Sequence, residues 1–76
     1  MAKTIFLMCY EFNDITCEVF ERSFHVEDCA LVRKKTDEGG PYRPVIYDYK
    51  ARKAFAIVDY ELTDESWELL KRLFAE

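Results

Sequence analysis

Glycine is nearly missing from this chain: of 76 residues only Gly39 and Gly40 are glycine, and they stand side by side. A glycine-rich nucleotide loop needs several glycines at fixed intervals, so neither the dinucleotide fingerprint nor the phosphate-binding loop can be built. Histidine occurs once, as His25, and no serine or cysteine sits in a nucleophile motif. Acyl transfer and hydrolysis need an activated nucleophile beside a base, and nothing in the pattern announces one. The three cysteines, Cys9, Cys17 and Cys29, are odd in number and show no paired spacing, which argues against a disulfide framework and against a zinc site. The only long apolar run at the start, Ile5 to Tyr10, is too short for a secretory signal and far too short for a membrane span. These absences point to a non-enzymatic, cytoplasmic chain with no cofactor and no membrane partner.

What is present is a core. Half of the residues are apolar, 16% are aromatic and 34% are charged, with a net charge of −4, a composition that excludes disorder and favours one soluble domain over residues 1–76. A chain this short buries only about 60% of the surface its unfolded form exposes, so its packing margin is thin.

Thr4 to Phe12 is apolar on both alternating sets, the mark of a strand covered on two sides. Asn13-Asp14 suits a two-residue turn, and Ile15 to Val19 alternates apolar with polar, so a hairpin is expected with Phe12 opposite Ile15 and Met8 opposite Val19. That register gives the core to the face of Phe6, Met8, Tyr10 and Phe12. Ile5, Leu7 and Phe20 are left on the other face, with Cys9 and Cys17 on opposite sides of the sheet.

Between His25 and Thr36 strand and helix templates compete. Glu27-Asp28 at the front and Arg33-Lys34-Lys35 at the back match a helix dipole, and this favours a short helix over a third strand. Thr36 to Pro44 holds Gly39-Gly40-Pro41 and Pro44 and reads as the main loop. Val45–Tyr49 and Ala54–Glu61 form a second hairpin around Lys50-Ala51-Arg52-Lys53, with Tyr47 opposite Ala56 and Tyr49 opposite Ala54. The end of the chain is a helix from about Asp64 to Ala75: Thr63 is placed to cap it, Leu62 and Trp67 to staple it, Glu68 to pair with Arg72, and Trp67, Leu70, Leu73 and Phe74 form its apolar stripe. The expected fold is α+β, an antiparallel sheet of about four strands in ββαββα order with both helices on one face.

Twelve aromatic residues exceed what one small, single-sided core hides, so an uncovered apolar patch is expected. The leading expectation is a protein-interaction domain, an adaptor, regulator or inhibitor of the kind phages and mobile elements encode. Its surface would combine Ile5, Leu7, Phe20 and Phe24 with acidic groups such as Glu18, and would meet another protein with a basic surface or a second copy in a homodimer. The alternative is a nucleic-acid-binding module in which Arg43, Lys50, Arg52 and Lys53 meet phosphates and Tyr47 and Tyr49 stack on bases.

Overall fold

The computed structural model describes residues 3–12, 15–35 and 42–75. Five strands, β1 Thr4–Glu11, β2 Phe20–His25, β3 Cys29–Lys35, β4 Tyr42–Asp48 and β5 Lys53–Ile57, are followed by helix α1, Asp64–Ala75. They form one antiparallel sheet in the order β2-β1-β5-β4-β3. The class is α+β, as the sequence implies, with five strands and one long helix in place of the ββαββα order.

The segment expected as the first helix contributes only a single 3₁₀ turn, Val26–Asp28, before the chain extends into β3. That turn carries the geometry of the whole sheet. β2 and β3 lie at opposite edges, yet the chain passes from His25 to Cys29 in four Cα steps, at most about 14 Å. His25 is level with Thr4. Cys29 is level with Asp48 and Lys53, two residues beyond the level of Glu11. In a flat ladder those positions would be about 36 Å apart, nine residue rises along the strands and four strand spacings across them. The sheet therefore folds over on itself, the β1–β2 hairpin crossing above the β3–β4–β5 meander. Backbone bonds fix the corner on both sides: Val26 N–H donates to the Lys3 carbonyl and Tyr49 N–H to the Asp28 carbonyl, at 2.9 and 3.0 Å.

Folding over gives the sheet an inside and an outside. Inside are Ile5, Leu7 and Cys9 from β1, Phe24 from β2, Ile46 from β4, and Phe55 and Ile57 from β5, closed by Leu70 of α1. The alternation predicts Ile5 and Leu7 on an uncovered face, and the structure reverses it: Leu7 is 4% exposed and Phe6 66%. The hairpin register differs as well. Thr4 pairs with His25 and Cys9 with Phe20, so β2 begins at Phe20 and Ile15–Val19 lies outside the ladder. Asn13 and Asp14, the expected turn, lie outside the described residues, as do residues 36–41 of the expected main loop. The remainder of that loop, Tyr42-Arg43-Pro44, opens β4. Pro44 stands one step past the last β4–β5 pair, Val45–Ala56, where its missing N–H costs no bond to β5.

The second hairpin turns at Tyr49–Arg52, two residues from the expected register, with Tyr47 opposite Ala54 and Asp48 opposite Lys53. Asp48 organises this turn. Its Oδ1 accepts from the N–H groups of Lys50 and Ala51, at 3.0 and 3.1 Å. Arg52 closes the turn in the left-handed region, at φ 58°, donating its N–H to the Asp48 carbonyl. The other carboxylate oxygen of Asp48 receives the Arg22 guanidinium at 2.9 Å. Arg22 comes from β2, reaches Asp48 across the interior, and lies 4.2 Å from the Phe55 ring centroid and 4.9 Å from that of Phe24. A cation held by a carboxylate and two ring faces in a low-dielectric interior is a strong tie, because each partner would be costly to bury alone.

Helix α1 has the bounds the sequence predicts. Thr63 Oγ1 accepts from Ser66 N–H, capping the first turn. Glu68 pairs with Lys71 and not with the expected Arg72. The helix lies across the inner opening: Asp64 at its start holds Arg33 of β3 at 2.8 Å, and the Leu73 carbonyl near its end accepts from Lys3 Nζ, ahead of β1. Among the described residues no helix is long and apolar enough to cross a membrane.

Two predictions follow from this packing. Asp48→Ala removes an ion pair and two turn bonds together and is expected to cost about 2–4 kcal/mol in urea unfolding. Burial by itself would raise the Asp48 pKa. The Ala51 N–H bond, the Arg22 bond and charge and the Lys50 N–H bond outweigh it and hold the carboxyl below its ordinary 3.8. The stability it contributes is thus present above pH 4 and is lost as pH falls through the lowered value, a loss the Asp48→Ala protein will not show over that range. Leu70→Ala is expected to cost about 2–5 kcal/mol through an inner cavity, whereas Leu69→Ala, on the exposed side of the same turn, is expected to change stability by at most about 0.5 kcal/mol.

Candidate functional site

The outer face of the meander can be written out from the pairing register. One row across the strands is Ala30, Tyr47, Ala54 and Phe12, the last joined through Phe12 N–H to the Ala54 carbonyl. The next is Val32, Val45, Ala56 and Tyr10. The third is Lys34, Arg43, Val58 and Met8, with Val58 N–H donating to the Met8 carbonyl. α1 packs on the other side of the sheet through Leu70; within these rows Val45 and Ala56 are buried, while Met8, Val32 and Lys34 are exposed.

Large and small side chains are distributed unevenly within them. Alanines on β3 and β5 flank Tyr47, and Tyr47 stacks edge-on against Tyr49 with ring centroids 5.3 Å apart. Phe12 rises at one side and Val32 and Lys34 at the other, leaving an open cleft of about 450 Å³ floored by Val45 and Ala54. Tyr49, 58% exposed, stands at the edge of the cleft, and Phe6 and Met8 extend the apolar surface beyond it.

Charge is also uneven. The three rows contain two cations and no carboxylate, in a chain whose net charge is −4. The Arg43 guanidinium donates to the Ile57 carbonyl at 3.0 Å and lies 6.0 Å from the Tyr10 ring centroid. Asp59 approaches at one corner, where its carboxylate accepts from Met8 N–H at 2.7 Å.

The residues singled out from the sequence separate into three groups. Ile5, Leu7 and Phe24 are inside the fold and unavailable to a partner; they were expected outside because a strand apolar on both sides does not say which side is covered. Phe20 sits at the rim of the interior, edge-on to Phe55 at 6.1 Å and still partly exposed, while Glu18 is exposed. Of the cationic set, Lys50 pairs with Asp28 at 3.3 Å and Lys53 with Glu11 at 3.6 Å, so those two turn charges are locally balanced. Arg52 is exposed at the turn. Tyr47, Tyr49 and Arg43 belong to the outer face. Ala30 and Val32 were missed as surface residues because their segment was expected to be helical, and Phe12 because the expected hairpin register put it on the core face with Met8 and Tyr10. The available signal was the two-sided apolar pattern of Cys29 to Val32, which a strand uses fully and a one-sided helix does not.

His25 sits across from Thr4, with Nδ1 3.0 Å from the threonine hydroxyl. Burial pushes the thiols of Cys9 and Cys29 up to about 11, the nearby Arg22 offsetting only part of this. Thiols so protonated at neutral pH are poor nucleophiles. Among the described residues no cluster of three or more His, Cys, Asp or Glu side chains is placed to hold a metal ion. No protein-family model matches the chain, and neither a curated protein nor a solved structure is significantly similar to it.

Alkylation of the native protein at pH 7 is expected to leave Cys9 and Cys29 unmodified on a timescale that modifies a model thiol completely, and to reach both once urea unfolds the chain. Mass spectrometry of tryptic peptides reads both sites.

Proposed function

We propose that the chain is a non-enzymatic protein-binding module, an adaptor, regulator or inhibitor, that engages its partner through the outer face of the β3–β4–β5 meander. The observation that carries this reading is the cleft between Phe12, Val32 and the Tyr47–Tyr49 ring pair, an apolar concavity on the sheet face that α1 leaves uncovered. Aromatic residues around small ones, with few charges at the centre, are the composition of a protein interface core. The patch differs from the one the sequence suggested. Its anchors are Phe12, Val32, Tyr47 and Tyr49, with Phe20 and Glu18 displaced to the far side of the hairpin.

A nucleic-acid role would draw on Arg43, Lys50, Arg52 and Lys53. The pairing of Lys50 and Lys53 with carboxylates weakens it, since phosphate contact would first have to break those bonds.

The test is affinity capture from the source cell with the immobilised chain and with Val32→Asp and Tyr49→Asp variants, both changed at outward positions and checked for an unaltered urea midpoint. The expected result is one stoichiometric protein retained by the parent chain in 0.5 M salt and lost from both variants. Retention by both variants overturns the proposal. So does recovery of nucleic acid alone, with a steep salt dependence abolished by replacing Lys50, Arg52 and Lys53.

A further inference from the structure

Resting on that reading, we propose that the occupant of the cleft is an apolar segment of another protein that carries carboxylates. The argument is one of charge. Five cations of the chain, Arg22, Arg33, Lys50, Lys53 and Lys71, are each matched by a carboxylate within 4 Å. The other six, Lys3, Lys34, Lys35, Arg43, Arg52 and Arg72, make no ion pair among the described residues, and of these Lys34 and Arg43 stand side by side in the third row. Lys34 lines the cleft itself and is the only charged residue among its described lining residues. Arg43 is fixed beside it, held in place by the Ile57 carbonyl and the Tyr10 ring, with no carboxylate paired to it among the described residues.

Two cations without a carboxylate partner among the described residues, at the end of a cleft whose other described lining residues are uncharged, set a polarity for whatever fills it. A basic segment would place like charges together in a partly desolvated site, at a cost that excludes it. A neutral apolar segment would fill the volume but leave Lys34 at the rim of a dry interface without a partner. A segment with large apolar side chains against Tyr47, Val45 and Val32 and a carboxylate over Lys34 and Arg43 satisfies both demands. The negative net charge of the chain opposes this little. Five of its fifteen acidic residues are held in ion pairs among the described residues, and over distances beyond about 8–10 Å the others are screened at physiological salt. Peptide segments mixing aromatic or aliphatic anchors with acidic residues are therefore the chemistry the cleft selects.

A displayed library of random 12-residue peptides, panned against the folded chain, tests this directly. Selected binders are expected to be enriched in Asp and Glu together with Phe, Leu or Trp. A synthesised binder is expected to lose at least ten-fold in affinity on Lys34→Glu and several-fold on Lys34→Gln, to weaken with rising salt, and to shift the amide resonances of Ala30, Val32, Tyr47 and Ala54. Neutral or basic winners, winners indifferent to Lys34→Glu, winners whose shifts map elsewhere, or an empty selection would each overturn the inference. In any of those cases a cellular partner still lost on Val32→Asp would leave the proposed function standing, so the two failures are distinguishable. A single-stranded oligonucleotide that displaces the peptides at matched concentration would assign the two cations to phosphate and overturn it as well.

Discussion

Everything in this fold depends on four Cα steps. The passage from His25 to Cys29 joins opposite edges of a five-stranded sheet, and no flat arrangement allows it, because the joined residues would be about 36 Å apart across the ladder. Once the hairpin folds across the meander, Arg22 and Asp48, about 25 Å apart in a flat ladder, meet at 2.9 Å. The inner faces of both halves then share one core, closed by Leu70. Asp48 serves three purposes from one position: it caps the Tyr49–Arg52 turn, ties β4 to β2, and supplies the counter-charge that lets Arg22 lie among aromatic rings.

The same constraint defines the surface. A sheet folded inward and plugged by one helix spends that helix on the inside, so its outward face keeps whatever the sequence put there. On β3, β4 and β5 that is a set of alanines, valines and tyrosines with the two cations Lys34 and Arg43. The aromatic surplus counted from composition is real, and part of it lies on this outer side, in Phe6, Phe12, Tyr47 and Tyr49.

How much of this was legible in the sequence varies by element. α1 was read to the residue because its signals are local: a capping threonine, acids in the first turn and an apolar stripe of helical period. β1 and the second hairpin were read as elements but not in register, since pairing shifts by two residues preserve alternation and leave no local trace. β3 was misassigned because the charges of Glu27-Asp28 and Arg33-Lys34-Lys35 imitate a helix dipole. The structure uses them otherwise, with Asp28 holding Lys50 and Arg33 holding Asp64. The choice of core face was undecidable locally, for Ile5-Leu7-Cys9 and Phe6-Met8-Tyr10 are both apolar, and only the non-local fold-over selects between them. The candidate cleft inherits that difficulty. Tyr47, Tyr49 and Arg43 stood out by type, but their grouping with Val32 and Lys34 exists only once β3 is a strand.

The central claim is that the sheet is folded over, and the proton contacts between the rings of Phe24 and Phe55 test it most directly. The two side chains belong to β2 and β5, their backbones about 22 Å apart in a flat ladder, while the folded-over sheet sets their ring centroids at 5.7 Å. Strong nuclear Overhauser effects between these rings in solution are the predicted result. Their absence from a folded sample in which the β1–β2 and β4–β5 ladders are intact would contradict the account.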